Sequence, residues 1–178
     1  MRSGALACIL FVGSVPALVG GEGPHLADGW EAVRQKAMPF EVKDLEGKPL
    51  QLKDLAGKVV VIDFWASWCR PCVQELPDLA AYHRRLAGRQ DVAFLSFNVG
   101  EDRTAVEAFL KASPVSFPVY CGDALVEALE LSAFPTKMIL DARKPGEDGS
   151  AVVRFRREGL TPVASIEARV AALLAEQP

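Results

Sequence analysis

Val59-Val-Val-Ile-Asp-Phe-Trp-Ala-Ser-Trp-Cys-Arg-Pro-Cys72 is the stretch whose reading decides the fold. Its first seven residues are apolar and mostly β-branched or aromatic, broken only by Asp63, which is the pattern of a strand buried on both faces. From about Arg70 to Leu86, Leu76, Leu79 and Leu86 lie along one stripe and predict an amphipathic helix, with Pro77 inside it as a source of kinking. Cys69 and Cys72 therefore sit at a strand-to-helix junction. There the unpaired N–H groups of the first helical turn and the positive end of the helix dipole favour thiolate over thiol. In such settings a cysteine pKa falls from about 8.5 to about 3.5–7.5. This placement makes Cys69 the nucleophile and Cys72, one turn further in, the thiol that resolves a mixed disulfide. Pro71 is tolerated because its missing N–H would be unpaired there anyway, and it stiffens the loop between the sulfurs.

Working outward, Phe40–Val42 and Leu50–Leu52 flank the turn at 44–47 and predict a β-hairpin. Residues 22–39 form a polar lead-in with a short helix around Trp30 to Lys36. Downstream, a strand at Val92–Asn98 is followed by a helix from about Thr104 to Lys111, whose predecessors Glu101 and Asp102 suit an acidic N-terminus. A short strand at Phe117–Tyr120 precedes a helix at Ala124–Leu131 capped by Asp123. Thr136–Leu140 and Ala151–Phe155 form an antiparallel pair, and residues 162–175 a closing Ala- and Leu-rich helix. Strands alternating with helices, then a hairpin and a final helix, indicate an α/β fold with a mixed central sheet flanked by helices.

The chain has 178 residues, half of them hydrophobic and 24% charged, with a formal charge of -3. That is one domain's length, with a core that needs no stapling. The acidic balance argues against nucleic acid and against a polybasic membrane anchor. Residues 1–21 combine Arg2 with an apolar run and small residues around Ala17 to Gly21, the pattern of a secretory signal peptide, with retention as an anchor the alternative. Cys8 comes too early in the run for lipidation and reads as a passenger of the signal. The expected organisation is signal 1–21, lead-in 22–39 and one domain over 40–178. Export places Cys69, Cys72 and Cys121 where disulfides persist. A bridge between cysteines three apart closes a tiny loop and stabilises little, so reactivity explains the pair better than structure does.

A zinc site is the bland alternative, and it wants four ligands. Only Cys121, His25 and His83 remain. His83 lies 11 residues past Cys72 on the same helix, roughly 16 Å away, so one zinc cannot hold both. No metal and no cofactor are expected. Asp63, six residues before Cys69 in an apolar strand, should have its pKa raised by desolvation, suiting it to exchange a proton with Cys72. The alternative for Asp63 is a polar edge or a pairing with a lysine such as Lys58. Glu75, three residues after Cys72, is a second candidate for that task, or simply a solvated helix glutamate. Cys121 reads as a small buried hydrophobe or an extra resolving thiol. His83 reads as an edge-of-core residue, His25 as part of the lead-in, and Arg154, Arg156 and Arg157 as a solvated edge.

Asp-Phe-Trp-Ala-Ser-Trp-Cys-Arg-Pro-Cys (63–72) resembles the active-site strand, turn and helix of thioredoxin, and Glu75-Leu76-Pro77 resembles the exported TlpA/ResA branch of that family. The resemblance extends from about Phe40 to the C-terminus. It implies a thioredoxin-like fold with an N-terminal hairpin and an inserted strand–helix unit around 104–131. It further implies a cis peptide at Phe134–Pro135 beside the sulfurs, a Phe134 backbone that offers edge hydrogen bonds to a substrate chain, and a Trp68 that helps shape the site. Many members of the branch have Asn where this chain has Asp63, and the Gly common before the cis-proline segment is absent from 129–133.

What the resemblance implies for function is an exported, periplasmic, monomeric thiol–disulfide oxidoreductase cycling a Cys69–Cys72 disulfide. It would act as a reductant nearer about -270 mV than about -120 mV. Its partners would be client proteins with reducible disulfides, such as apocytochrome c or a copper-receiving protein, and a membrane thiol transporter as electron donor. The rivals are a disulfide oxidant or isomerase, and a copper-handling protein using the two sulfurs as soft ligands. A peroxidase fits less well, since both thiols sit in one short turn.

Overall fold

The computed structural model describes residues 26–178 apart from Met38 and Pro114. The signal, Cys8 and His25 lie outside the described residues. Val59–Trp65 forms the central strand β4, and all seven of its residues are buried. Its neighbours are β5 (Val92–Asn98), parallel to it, and β7 (Thr136–Asp141), antiparallel. Beyond β5 lies β6 (Val119–Cys121), also parallel, and beyond β7 lie β8 (Ala151–Glu158) and then β1 (Glu31–Ala37), both antiparallel to their neighbours. The spatial order is β1-β8-β7-β4-β5-β6, a mixed sheet in which β4, the strand that carries Asp63, lies well inside both edges. β2 (Glu41–Lys43) and β3 (Pro49–Gln51) make a separate hairpin.

Helix α1 (Arg70–Arg85) buries Cys72, Glu75, Leu76, Leu79, Ala80 and Tyr82, the one-stripe spacing of a helix laid on a sheet. Pro77 lies inside it. The last helix, α4 (Val163–Ala175), packs on α1, β4 and β7 with Ile166, Val170 and Leu173 inward. Trp65 of β4 rests on Phe109 of α2 (Arg103–Lys111), which covers the same face further along. The hairpin closes the other face, where Phe40 meets Phe97 edge-on and Phe97 stacks on Phe64 at 5.3 Å. Among the described residues no helix is long and apolar enough to cross a membrane.

Several local expectations are corrected. Trp30–Lys36 is not helical. Glu31-Ala-Val-Arg-Gln-Lys-Ala37 is good helix material by propensity, yet it pairs with β8 as an edge strand. The anchor is Trp30, fully buried, with its indole N–H donating to Ser165 Oγ at 2.7 Å and its ring edge-on to Phe155. Tertiary burial outweighs the local preference. The helix after β6, α3, spans Asp123–Ala128, with Gly122 rather than Asp123 at its cap. Asp123 instead accepts the Gly100 N–H at 2.6 Å and ties that helix to the loop after β5.

The arginine run is not a solvated edge. Arg154 pairs with Asp141 and Glu176, and Arg156 pairs with Glu158. Arg156 also donates to the carbonyls of Leu129 and Glu130. Glu130 adopts φ +51, a left-handed conformation that disfavours side chains by about 1–2 kcal/mol. It occupies the segment where a glycine would be easier, and Arg156 bonds help hold it there.

Candidate functional site

β4 ends at Trp65, the chain turns through Ala66, Ser67 and Trp68, and Cys69 caps α1. The Cys69 N–H donates to Ala66 O at 3.1 Å, and the Cys69 sulfur accepts the Cys72 N–H at 3.3 Å. Arg70 and Pro71 occupy the first two helical positions, where no intrahelical donor is needed, so the proline fits without disturbing the turn. Cys69 and Cys72 are joined as a disulfide with their Cα atoms 5.3 Å apart. Cys72 is wholly buried and Cys69 lies at the surface edge, 6% exposed.

The turn is braced by Glu101, which sequence reading assigned only to the acidic start of the next helix. Its carboxylate accepts the Ser67 N–H at 2.6 Å, the Ser67 hydroxyl, and the Asn98 side-chain amide at 2.7 Å. Asp102 caps α2 by accepting the Ala105 N–H at 2.9 Å. The loop that carries Trp68 is thus pinned to the end of β5. Trp68 itself is 64% exposed, in contact edge-to-face with Phe134 at 6.3 Å. The Phe134–Pro135 peptide is cis. Together with Arg70, Val73 and Gln74, Ser67 and Trp68 line a shallow open depression beside the disulfide.

Beneath this surface, a row of polar side chains runs across the interior of the sheet. Asp63 is in register with Ser96 of β5 and with Lys137 of β7, and Lys137 is in register with Arg157 of β8. Ser96 is satisfied by the Trp65 indole N–H at 2.8 Å. Asp63 and Lys137 are fully buried, with Lys137 Nζ 2.8 Å from Asp63 Oδ1. The same Lys137 Nζ also contacts the Glu75 carboxylate, so one buried ammonium faces two acids. Burial pushes the Asp63 carboxyl above its ordinary range, with Lys137 opposing the shift. Burial likewise pulls the Lys137 ammonium down, against the pull of Asp63.

Glu75 completes the cluster. It is buried, not solvated, and its carboxylate accepts from Lys137 Nζ through one oxygen and from the Thr161 N–H at 3.2 Å through the other. Residues three apart on a helix share a face, so Glu75 places this cluster one turn along α1 from Cys72.

The structure therefore brings Asp63 and Glu75 together through a residue that the sequence reading did not single out. Lys58, the partner considered for Asp63, donates instead to Gln90 O. The available signal for Lys137 was the same as for Asp63, a charge inside an apolar strand. Cys121, at the end of β6, is half-buried rather than core, and its thiol lies 3.6 Å from Asp123 Oδ2. His83 is half-buried between Phe94 and Phe117, and burial lowers its pKa. Among the described residues no group of three or more His, Cys, Asp or Glu is placed to hold a metal ion.

Residues 33–144 match the AhpC/TSA family model, a span that includes the disulfide, Asp63, Glu75, Lys137 and the cis-proline. The chain belongs to the AhpC/TSA family. Within this family it is similar to thiol-disulfide oxidoreductase ResA of Bacillus subtilis, 36% identical over 104 residues. That match covers 57% of this chain and 58% of the relative, so the chain spans under two thirds of that protein's length. ResA of Bacillus cereus is 32% identical over 146 residues, covering 78% of this chain and 81% of the relative. Among solved structures, a thiol:disulfide interchange protein of the thioredoxin family from Chlorobium tepidum superposes with a TM-score of 0.67 at 25% identity, covering 81% of this chain and 99% of that one. The mixed sheet with its flanking helices is a thioredoxin-like fold.

Proposed function

We propose that the protein is a thiol–disulfide oxidoreductase that reduces disulfides of client proteins outside the cytosol. The observation that carries this reading is the arrangement of the two sulfurs. Cys69 stands at a helix N-terminus at the surface, and Cys72 is buried one helical turn from Glu75, whose carboxylate shares the Lys137 ammonium with Asp63. Relatives that bear the name thiol-disulfide oxidoreductase support it.

In the reduced protein, Cys69 thiolate attacks a client disulfide. One client sulfur leaves as a thiolate, and the other stays bound to Cys69. Cys72 then loses its proton to the buried carboxylate cluster and attacks Cys69 Sγ. A Cys69–Cys72 bond forms, the bond to the client breaks, and the second client thiolate departs. Two electrons have passed to the client. The exposed ring of Trp68 and the backbone beside Phe134 and Pro135 receive the client chain, and Pro71 stiffens the loop.

Regenerating the dithiol requires a donor, for which a membrane thiol transporter has the right chemistry. The N-terminal 1–21 pattern supports export to the periplasm, with residues 40–178 acting as a monomeric domain. Apocytochrome c cysteines or the thiols of a copper-receiving protein are the proposed clients.

The deciding measurement is the Cys69–Cys72 reduction potential of the full chain against glutathione or dithiothreitol buffers. A value at or below about -230 mV is expected of a dedicated reductase. A value of about -120 to -180 mV would mark an oxidant or isomerase and remove the client assignment.

A further inference from the structure

Arg70 stands between the two cysteines as the first residue of α1, exposed to solvent. A cation there opposes the helix dipole, which favours negative charge in the first turn. The far end of α1 follows that rule, with His83, Arg84 and Arg85 in the last turn and Arg85 paired with Glu167. α2 also begins with an arginine, but Arg103 is neutralised by Glu107 four residues on. The positions three and four residues past Arg70 hold Val73 and Gln74, so no helical neighbour can do the same for it.

The loop supplies no counter-ion either. Glu101, the acid bonded into this turn, is engaged by the Ser67 N–H, the Ser67 hydroxyl and the Asn98 amide. Among the described residues the Arg70 side chain makes no ion pair or hydrogen bond, and its guanidinium lies over no aromatic ring. Trp68 turns its ring to Phe134 instead and stays 64% exposed. Arg70 and Trp68 line the open depression beside the disulfide together with Ser67, Val73 and Gln74. A cation without a partner and an uncovered apolar ring thus share the surface that a client meets.

We propose that Arg70 selects clients by charge, favouring a disulfide flanked by Asp or Glu within one or two residues of the cysteine that Cys69 attacks. This rests on the exchange reaction proposed above and names the class of client segment it prefers. Consecutive Cα atoms lie about 3.8 Å apart, so a client sulfur at Cys69 brings its nearest chain neighbours within the span of an arginine side chain on the adjoining residue. The client carboxylate then supplies the partner that α1 and the loop withhold, while the Trp68 ring covers the apolar part of the same segment. Arg70 keeps its proton throughout, and the sulfur exchange proceeds as described.

The test uses one disulfide-bridged peptide in two versions, with Glu or with Lys on either side of its cysteines. Its rate of reduction by the reduced full chain is measured at one pH and low salt, in the wild type and in Arg70→Gln. The quantity read is the Glu-to-Lys rate ratio, compared between the two proteins. That comparison cancels both the reactivity of the Cys69 thiolate and the intrinsic reactivity of each peptide. A unit charge about 6 Å from the guanidinium in water changes the rate about threefold, so reversing its sign is worth about tenfold before screening. The ratio should therefore fall by about three- to tenfold in Arg70→Gln and be largely kept in Arg70→Lys.

An unchanged ratio overturns the proposal. So does an equal slowing of both peptides, which would make Arg70 a residue that acts on the Cys69 sulfur and not on the client. If neither peptide is reduced by the wild type, the exchange reading itself falls. Binding then still decides on Arg70, with the same peptides carrying serine for cysteine titrated into the oxidised full chain and the Trp68 indole NMR signal followed. The Glu peptide should shift that signal at lower concentration than the Lys peptide, and Arg70→Gln should abolish the difference. Equal responses to the two peptides in the wild type overturn the proposal.

Discussion

Replacing Asp63 by Asn should make the protein more stable, and more so as pH rises. Asp63 is fully buried, and the Lys137 ammonium that faces it is shared with Glu75, a second anion in contact with the same Nζ. The amide would keep the shape and leave one ammonium facing one carboxylate, so the substitution removes a surplus buried charge without orphaning Lys137.

The ceiling on the gain follows from linkage. The native state can always escape the ionisation cost by binding a proton. That cost therefore cannot exceed about 1.4 kcal/mol for each pH unit above the ordinary carboxyl value of 3.8. The cap is about 4 kcal/mol at pH 7 and about 2 kcal/mol at pH 5. A carboxyl whose native pKa is raised has its stability contribution intact below the ordinary value, and loses it as pH climbs toward the native value. We expect a gain of about 1–3 kcal/mol at pH 7, with less at pH 5. Guanidinium denaturation of both oxidised proteins at the two pH values reads this from the shift in midpoint at constant slope. An Asp63→Asn protein less stable than wild type at pH 7, or a gain that shrinks between pH 5 and pH 7, would refute the reasoning.

Two further outcomes test the site. Cys72→Ser should retain the nucleophile and lose the resolving thiol, so non-reducing gels and mass spectrometry should find client chains covalently held through Cys69; capture through any other residue, or none, contradicts the order of attack. Glu101→Ala removes the acceptor for Ser67 and Asn98, and should lower stability by about 1.5–3 kcal/mol in denaturant while broadening the Trp68 indole NMR signal. An unchanged midpoint would show that the loop is held by something else.

The parts of the fold that the sequence revealed are those whose cause is local. β4 is an apolar β-branched run, α1 carries a one-sided leucine stripe, and the hairpin is marked by its turn, so each could be placed from residues a few positions apart. β1 could not. Its helix-favouring composition is overruled by the open edge of β8 and by a tryptophan whose hydrogen-bond partner lies 135 residues away. Asp123 and Cys121 were misplaced for a related reason, since the Gly100 N–H that engages Asp123 comes from a different loop.

The candidate site divides along the same line. The two cysteines and Pro71 declare themselves by spacing, because their chemistry is confined to one helical turn. The acids were visible only as anomalies. A buried Asp and a helix Glu each had an ordinary explanation, and nothing in the order of residues says that both face one cation. Lys137 joins Glu75 across 62 residues, and it reaches Asp63 only because an antiparallel strand brings it into register. A charge inside an apolar strand must find a partner or lose its charge. Two such charges of opposite sign, in strands of one small sheet, are thus evidence for each other. Asp63 in 59–65 and Lys137 in 136–140 were the two interior charges that could answer one another. The sequence shows each of them singly, and only the strand order β7-β4 turns the pair into a site.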